Sequence, residues 1–249
     1  MERFFFAAQT DLHSPPDRII LLSGPPSSGK SSLLFQFAFN AATETNRSVV
    51  FICNRRKLEH NPPYLSQARP GIDPSSEVFQ RIQMKYVDDY EGIKTYFAAF
   101  HLHEDFPVSV VIDDFADFFD ERNCQEKYSS SRGRDLAMPM LSKNTYFIAA
   151  ISICSMLMHL TTESLPDSEA GVCRLLLSDS NHGDSPRMLY IYKRWASSIY
   201  TIKGNGLGSF LLRNSYSSVA NESEGKKTAN YSIALQHLVL EAITNEEEK

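Results

Sequence analysis

A chain of 249 residues is long enough for one domain with a sizeable core and leaves little for a second. With 42% hydrophobic and 22% charged residues it has the composition of a globular protein, and a formal charge of −5 excludes a global attraction to nucleic acid, so any such contact has to be local. The longest apolar stretch, residues 146–158, is broken by serines and falls short of the roughly 20 residues that cross a bilayer.

Taken in chain order, residues 4–8 (Phe-Phe-Phe-Ala-Ala) are too few for a signal peptide. Residues 18–23 form a short apolar run between a proline pair and a glycine, which predicts a strand buried on both faces. The string Gly24-Pro25-Pro26-Ser27-Ser28-Gly29-Lys30-Ser31 follows at once. Leu33, Leu34, Phe37, Ala38 and Ala41 then lay one apolar stripe along a helix that starts near Gly29. Further strands are predicted at 48–53, 82–87, 108–112 and 172–178, with β-like runs at 188–194, 199–203 and 209–213. Helical patterning falls at 90–103 and 144–160, and loop composition at 55–76, 121–134 and 214–228. From Asn230 onward, Ile233, Leu235, Leu238, Val239 and Ile243 predict an amphipathic helix before the acidic run 246–248. Cys53, Cys124, Cys154 and Cys173 lie far apart without metal or disulfide spacing, as packing residues in a reducing compartment would. The alternation predicts an α/β fold with a largely parallel central sheet flanked by helices. Its expected organisation is an N-terminal arm (1–17), a core domain (18–213) and a C-terminal loop, helix and acidic tail (214–249).

The glycine-rich string is a P-loop. Its glycines let the backbone turn so that successive N–H groups and the helix N-terminus point at a phosphate. The candidate nucleotide-binding set is therefore Gly24, Pro25, Ser27, Ser28, Gly29, Lys30, Ser31 and Ser32, with Lys30 as the point charge for the outer phosphates. Ser31 would ligate Mg²⁺ through its hydroxyl, and the run Val110-Val111-Ile112 ends on Asp113, the acidic partner that the metal needs. Asp114 is a candidate for positioning metal-bound water, against the plainer reading of a solvated residue at a strand end. Lys30, Asp113 and Asp114 are thus the candidate catalytic residues, and ATP with Mg²⁺ the expected cofactors.

The order of elements, the short step from the P-loop helix to the strand at 49–53, and Lys193-Arg194 followed by Thr201-Ile202-Lys203-Gly204 resemble the RecA-type recombinase family over most of 18–213. The resemblance implies a RecA-like P-loop ATPase core whose loop after Asp113 contacts DNA. Residues 128–136 look like that loop. In it Arg132 and Arg134 would pair with phosphates and Tyr128 would stack on a base, the competing reading being a solvated basic loop. The family places a polar γ-phosphate sensor where Asp179, Ser180 and Asn181 stand, which makes Asn181 the candidate, against loop capping. Both Phe4-x-x-Ala7 and Phe5-x-x-Ala8 fit the motif with which recombinases dock on a neighbouring core, the competing reading being a plug on the chain's own domain.

Two departures bear on activity. Members of the family carry a water-orienting glutamate after the second strand, and here the residues are Cys53-Asn54-Arg55, so that hydrolysis should be weak or dependent on a partner, unless Glu59 folds back. The short connection 180–186 replaces a second DNA loop, which argues against full strand exchange. Within the family the chain resembles the SWIM-domain-associated ATPase of the Shu-type complex. That resemblance implies a nuclear accessory factor of homologous recombination DNA repair that binds single-stranded DNA. Its implied partners are a zinc-binding SWIM-domain protein and the recombinase or its paralogues, with no membrane involved. Two alternatives use the same P-loop: a small-molecule or nucleoside kinase, with Arg132 and Arg134 on a lid, and a pseudo-ATPase scaffold in which nucleotide only stabilises an interface.

Overall fold

A computed structural model describes residues 1–6, 18–66, 76–102, 105–119, 173–181, 189–206, 208–218 and 226–246. The expected helix at 144–160, the loop at 121–134 with Tyr128, Arg132 and Arg134, the remainder of the arm (7–17) and the end of the acidic tail lie outside the described residues.

In chain order the strands are Ile19–Gly24 (β1), Val49–Cys53 (β2), Ile82–Tyr86 (β3), Ser109–Ile112 (β4), Arg174–Ser180 (β5), Ser198–Gly204 (β6), Ser209–Ser217 (β7), Lys226–Ala234 (β8) and His237–Glu246 (β9). They form one sheet in the order β3-β2-β4-β5-β1-β6-β7-β8-β9. The first six pair in parallel, and the last three continue it as antiparallel strands. The helices are Lys30–Thr45 (α1), Arg55–His60 (α2), Glu77–Gln80 (α3), Tyr90–Ala98 (α4) and Leu189–Trp195 (α5). None of the described helices is long and apolar enough to cross a membrane.

Side chains alternate between the two faces of a strand, so the near-continuous apolar runs of β1, β2, β4 and β5 fill two cores at once. Ile19, Leu21, Val50, Ile52, Val110, Ile112, Leu175 and Leu177 pack on one face, with Phe97 of α4 and Tyr192 of α5. Ile20, Leu22, Val49, Phe51, Val111 and Leu176 pack on the other, with Leu33, Leu34 and Phe37 of α1. The N-terminus joins this second core. Phe4 and Phe5 are 2% and 1% exposed. Phe4 lies against the rings of Phe37 and Tyr200, and Phe5 against Tyr231. Asn40 of α1 holds the segment by donating to the Arg3 carbonyl at 2.9 Å. The first six residues are thus a plug on their own domain, and neither phenylalanine is presented to a neighbouring core. Cys53 and Cys173 are buried free thiols, which burial pushes up to about 12, in keeping with packing residues.

Several elements differ from the sequence expectations. The C-terminal segment is a hairpin, β8–β9, and not a helix, and β7 runs through the expected boundary at 213 to Ser217, so this segment belongs to the same sheet. The run 188–194 is rich in the aromatic and branched residues that favour strands, yet residues 189–195 are helix α5, with adjacent Ile191 and Tyr192 both buried. Residues 55–60 of the expected loop form α2, capped by Asn54, whose side chain accepts from the Lys57 N–H at 3.3 Å. Asn54→Ala should cost about 1 kcal/mol, read as a lower urea midpoint at unchanged slope.

Candidate functional site

The P-loop leaves β1 at Gly24, whose register partner is Ser180 of β5. A Cβ at Gly24 would sit 2.7 Å from Cβ of Ile202 in β6, so only glycine lets the turn lie this close to the sheet. Ser27 and Gly29 take left-handed backbone conformations (φ 59° and 77°), a glycine's ordinary option and a strained one for serine. The Ser28 hydroxyl donates to the Pro25 carbonyl at 2.8 Å. Lys30 Nζ donates to the Gly24 and Pro25 carbonyls at 3.3 and 3.0 Å. Pro25 has no N–H, so its part is to turn the chain and offer a carbonyl. No side chain caps α1, which leaves its leading N–H groups to the loop.

The acidic side is built by β4 and β5. Asp113 Oδ2 accepts from the Ser31 hydroxyl at 2.6 Å and Oδ1 from the Ser178 hydroxyl at 2.7 Å. Ser178 Oγ also accepts from the Asp114 N–H at 2.7 Å, fixing the strand end. Asp114, itself at a left-handed φ of 52°, accepts from Ser180 Oγ at 3.0 Å and pairs with Lys57 Nζ of α2 at 3.1 Å. Lys57 also pairs with Asp117. Burial holds the Asp113 carboxyl above its usual range, with Asp114 adding to the effect, while the hydroxyls of Ser31 and Ser178 and the Lys30 charge oppose it. Burial lowers the Lys30 ammonium against the pull of Asp114, Asp113, Asp179 and Asp117. Burial also acts downward on Lys57, but Asp114 and Asp117 outweigh it and hold that ammonium above its ordinary value.

The structure brings together Lys30, Ser31, Asp113 and Asp114 as the sequence motifs predict. Three further residues singled out in the sequence make contacts within the protein. Ser32, which is buried, accepts from the Tyr64 N–H at 2.9 Å through its hydroxyl. Its side chain therefore anchors Tyr64 against α1, while Gln36 Oε1 accepts from the Ser66 N–H at 2.7 Å. Asn181, 3% exposed, donates from Nδ2 to Ser23 Oγ at 2.9 Å and from its N–H to the Gly24 carbonyl. It braces the root of the P-loop, and its amide is already engaged there. Arg55 lies over the ring of Tyr86, 4.5 Å from the centroid. The α2 residue that reaches the acids is Lys57, with Glu59 exposed; two residues apart on a helix, their side chains point about 200° apart. Sequence reasoning missed Lys57, Asp117 and Ser178. The register of β5 against β4 would have found Ser178, one residue beyond the Ile112–Leu177 pair; Lys57 carries no such signal.

A hydroxyl and a carboxylate converging under a buried lysine, beside uncapped helix N–H groups, are the donor types that a triphosphate with a hard divalent cation requires. A largely parallel α/β sheet with a P-loop on β1, and an acid ending β4 with β5 between them, defines a RecA-like P-loop fold. No family model matches the sequence, and no curated protein matches it either. Among solved structures, the chain is similar to the KaiC-like protein PH0186 from the hyperthermophilic archaeon Pyrococcus horikoshii OT3, with a TM-score of 0.56 over 91% of each chain at 14% identity. A likeness at that identity concerns the fold.

Proposed function

We propose that the chain binds ATP with Mg²⁺ at this site and turns it over slowly, using the nucleotide-bound state as a switch rather than a fuel. The observation that carries this reading is the 2.6 Å contact between Ser31 and Asp113 beside the buried Lys30. Lys30 and the N–H groups of Ser27, Ser28 and Gly29 would hold the phosphates, and Ser31 and Asp113 the metal. The metal, when bound, supplies charge neutralisation between the outer phosphates. Slow turnover follows from what stands after β2: Arg55 rests on Tyr86, and the α2 side chain that reaches Asp114 is the ammonium of Lys57, which cannot accept a proton from water.

The cellular role rests on the sequence resemblance. We place the chain as a nuclear accessory factor of homologous recombination that binds single-stranded DNA through Tyr128, Arg132 and Arg134. It would act beside a SWIM-domain partner and the recombinase or its paralogues. Fluorescence anisotropy of labelled single-stranded and duplex DNA, with and without Mg-ATP, tests it. The expected result is preferential single-strand binding that falls with salt. In the Arg132→Ala, Arg134→Ala double variant the salt slope should drop by about 1.4, two phosphate contacts at roughly 0.7 each. An unchanged slope would remove the loop from the interface. The Lys57 pair favours a second reading, a scaffold in which nucleotide only stabilises an interface; there Lys30→Ala weakens partner binding with no turnover to lose.

A further inference from the structure

The C-terminal hairpin meets the P-loop from behind. Tyr231 of β8 is fully buried, and its hydroxyl donates to the Ser28 carbonyl at 2.7 Å. Its ring is clamped by Phe210 of β7, stacked at 5.5 Å, and by Phe5 of the N-terminal plug at 5.7 Å. Two residues on, the Ile233 side chain lies where a Cβ of Gly29 would be, with Cδ1 2.5 Å from that point. Burial pushes the Tyr231 phenol upward, so the group is a proton donor to a carbonyl.

The peptide joining Ser28 to Gly29 is trans, as are the others described, and a planar trans peptide points its C=O and N–H in opposite directions. Fixing the Ser28 carbonyl toward β8 therefore aims the Gly29 N–H away from the hairpin, to the open side of the loop. Ile233 occupies the space that a side chain at Gly29 would need, beside the left-handed φ of 77° at that residue. We infer that Tyr231 is a positioning residue for phosphate binding: it orients the Ser28–Gly29 peptide so that the Gly29 N–H meets the nucleotide's phosphates. The inference rests on the nucleotide reading above. It assigns to a hairpin far from the P-loop in sequence the preorganisation of that loop, and it links the loop to the N-terminal plug through Phe5.

The test is Tyr231→Phe, which keeps the ring between Phe5 and Phe210 and removes the hydroxyl. Affinities for fluorescent ADP and ATP analogues are measured by titration at a temperature where both proteins are folded, beside the melting temperature of the ligand-free proteins. The expected result is a loss of about 3- to 10-fold in affinity, the span of one buried hydrogen bond. It should be equal for the two nucleotides, because the inner phosphates are common to both. Ile233→Ala, which leaves the tyrosine in place, should weaken binding by about 2- to 5-fold, and it serves as the readout if Tyr231→Phe does not fold. Unchanged affinity in a folded variant, with only a lower melting temperature, would make Tyr231 a core residue and overturn the inference. Failure of the wild-type protein to bind either analogue would overturn the nucleotide reading itself, and this inference with it.

Discussion

Lys30→Ala is expected to abolish nucleotide binding at micromolar concentrations and to leave the fold in place. The lysine is 6% exposed, and the contacts of its ammonium are two carbonyls of its own loop, so the charge is stored for a ligand and not spent on packing. A charge-assisted contact to phosphate is worth about 1.5–3 kcal/mol, and an ammonium shared between two phosphates sits at the upper end, which is on the order of 100-fold in affinity. Burial already lowers the Lys30 ammonium, so removing it also relieves desolvation, and the ligand-free protein should melt within a few degrees of wild type. Titration with a fluorescent ATP analogue and thermal melts followed by circular dichroism check both halves. Wild-type affinity in the variant would contradict the placement of the phosphates.

Asp113→Asn separates metal binding from folding. The carboxyl is held above its ordinary value by burial and by Asp114, and a raised folded-state value means that the folded protein binds this proton more tightly than the unfolded chain does. The resulting penalty on stability is absent below the ordinary carboxylate range, grows as pH rises from there through the raised value, and is complete above it. An amide at the same place has no such penalty and can still meet the hydroxyls of Ser31 and Ser178. At pH 8 the ligand-free variant should therefore be more stable than wild type, read as a higher melting temperature, with the gain vanishing in acid. The neutral amide is a poor ligand for Mg²⁺, so the tightening of ATP binding by magnesium should fall by at least about tenfold. A variant that is less stable at pH 8, or that keeps its magnesium dependence, would refute the assignment.

The parallel half of the sheet and the phosphate loop were legible because both depend on local chemistry. Fully buried strands need continuous apolar runs, as in Ile19–Leu22 and Val49–Cys53, and a phosphate cradle needs its glycines and lysine at fixed spacing. The C-terminal hairpin was not legible as a helix-or-strand choice. Its turn uses Leu235 and Gln236 at φ 50° and 64°, so the Asn-Gly or Asp-Gly signature of such turns is missing. The apolar residues on its two sides then mimic a helical stripe, although Ala229, Tyr231 and Ile233 keep the two-residue period of a strand. In α5 the aromatic and branched residues Tyr190, Ile191 and Tyr192 suit a strand, and tertiary packing of Ile191 and Tyr192 overrides that preference. Lys57 was invisible for another reason: a lysine in a charged stretch acquires its role only when β2 and β4 lie side by side and carry α2 to Asp114 and Asp117.

The most direct test of the central claim is calorimetric titration of the wild-type protein with ATP, in magnesium and again in EDTA, followed by chromatography of the recovered nucleotide. The account predicts saturable binding at one site per chain, weakened by EDTA, with most of the ATP recovered intact after an hour. Absence of binding at millimolar ATP would contradict the nucleotide site, and rapid conversion to ADP by the protein alone would contradict the switch.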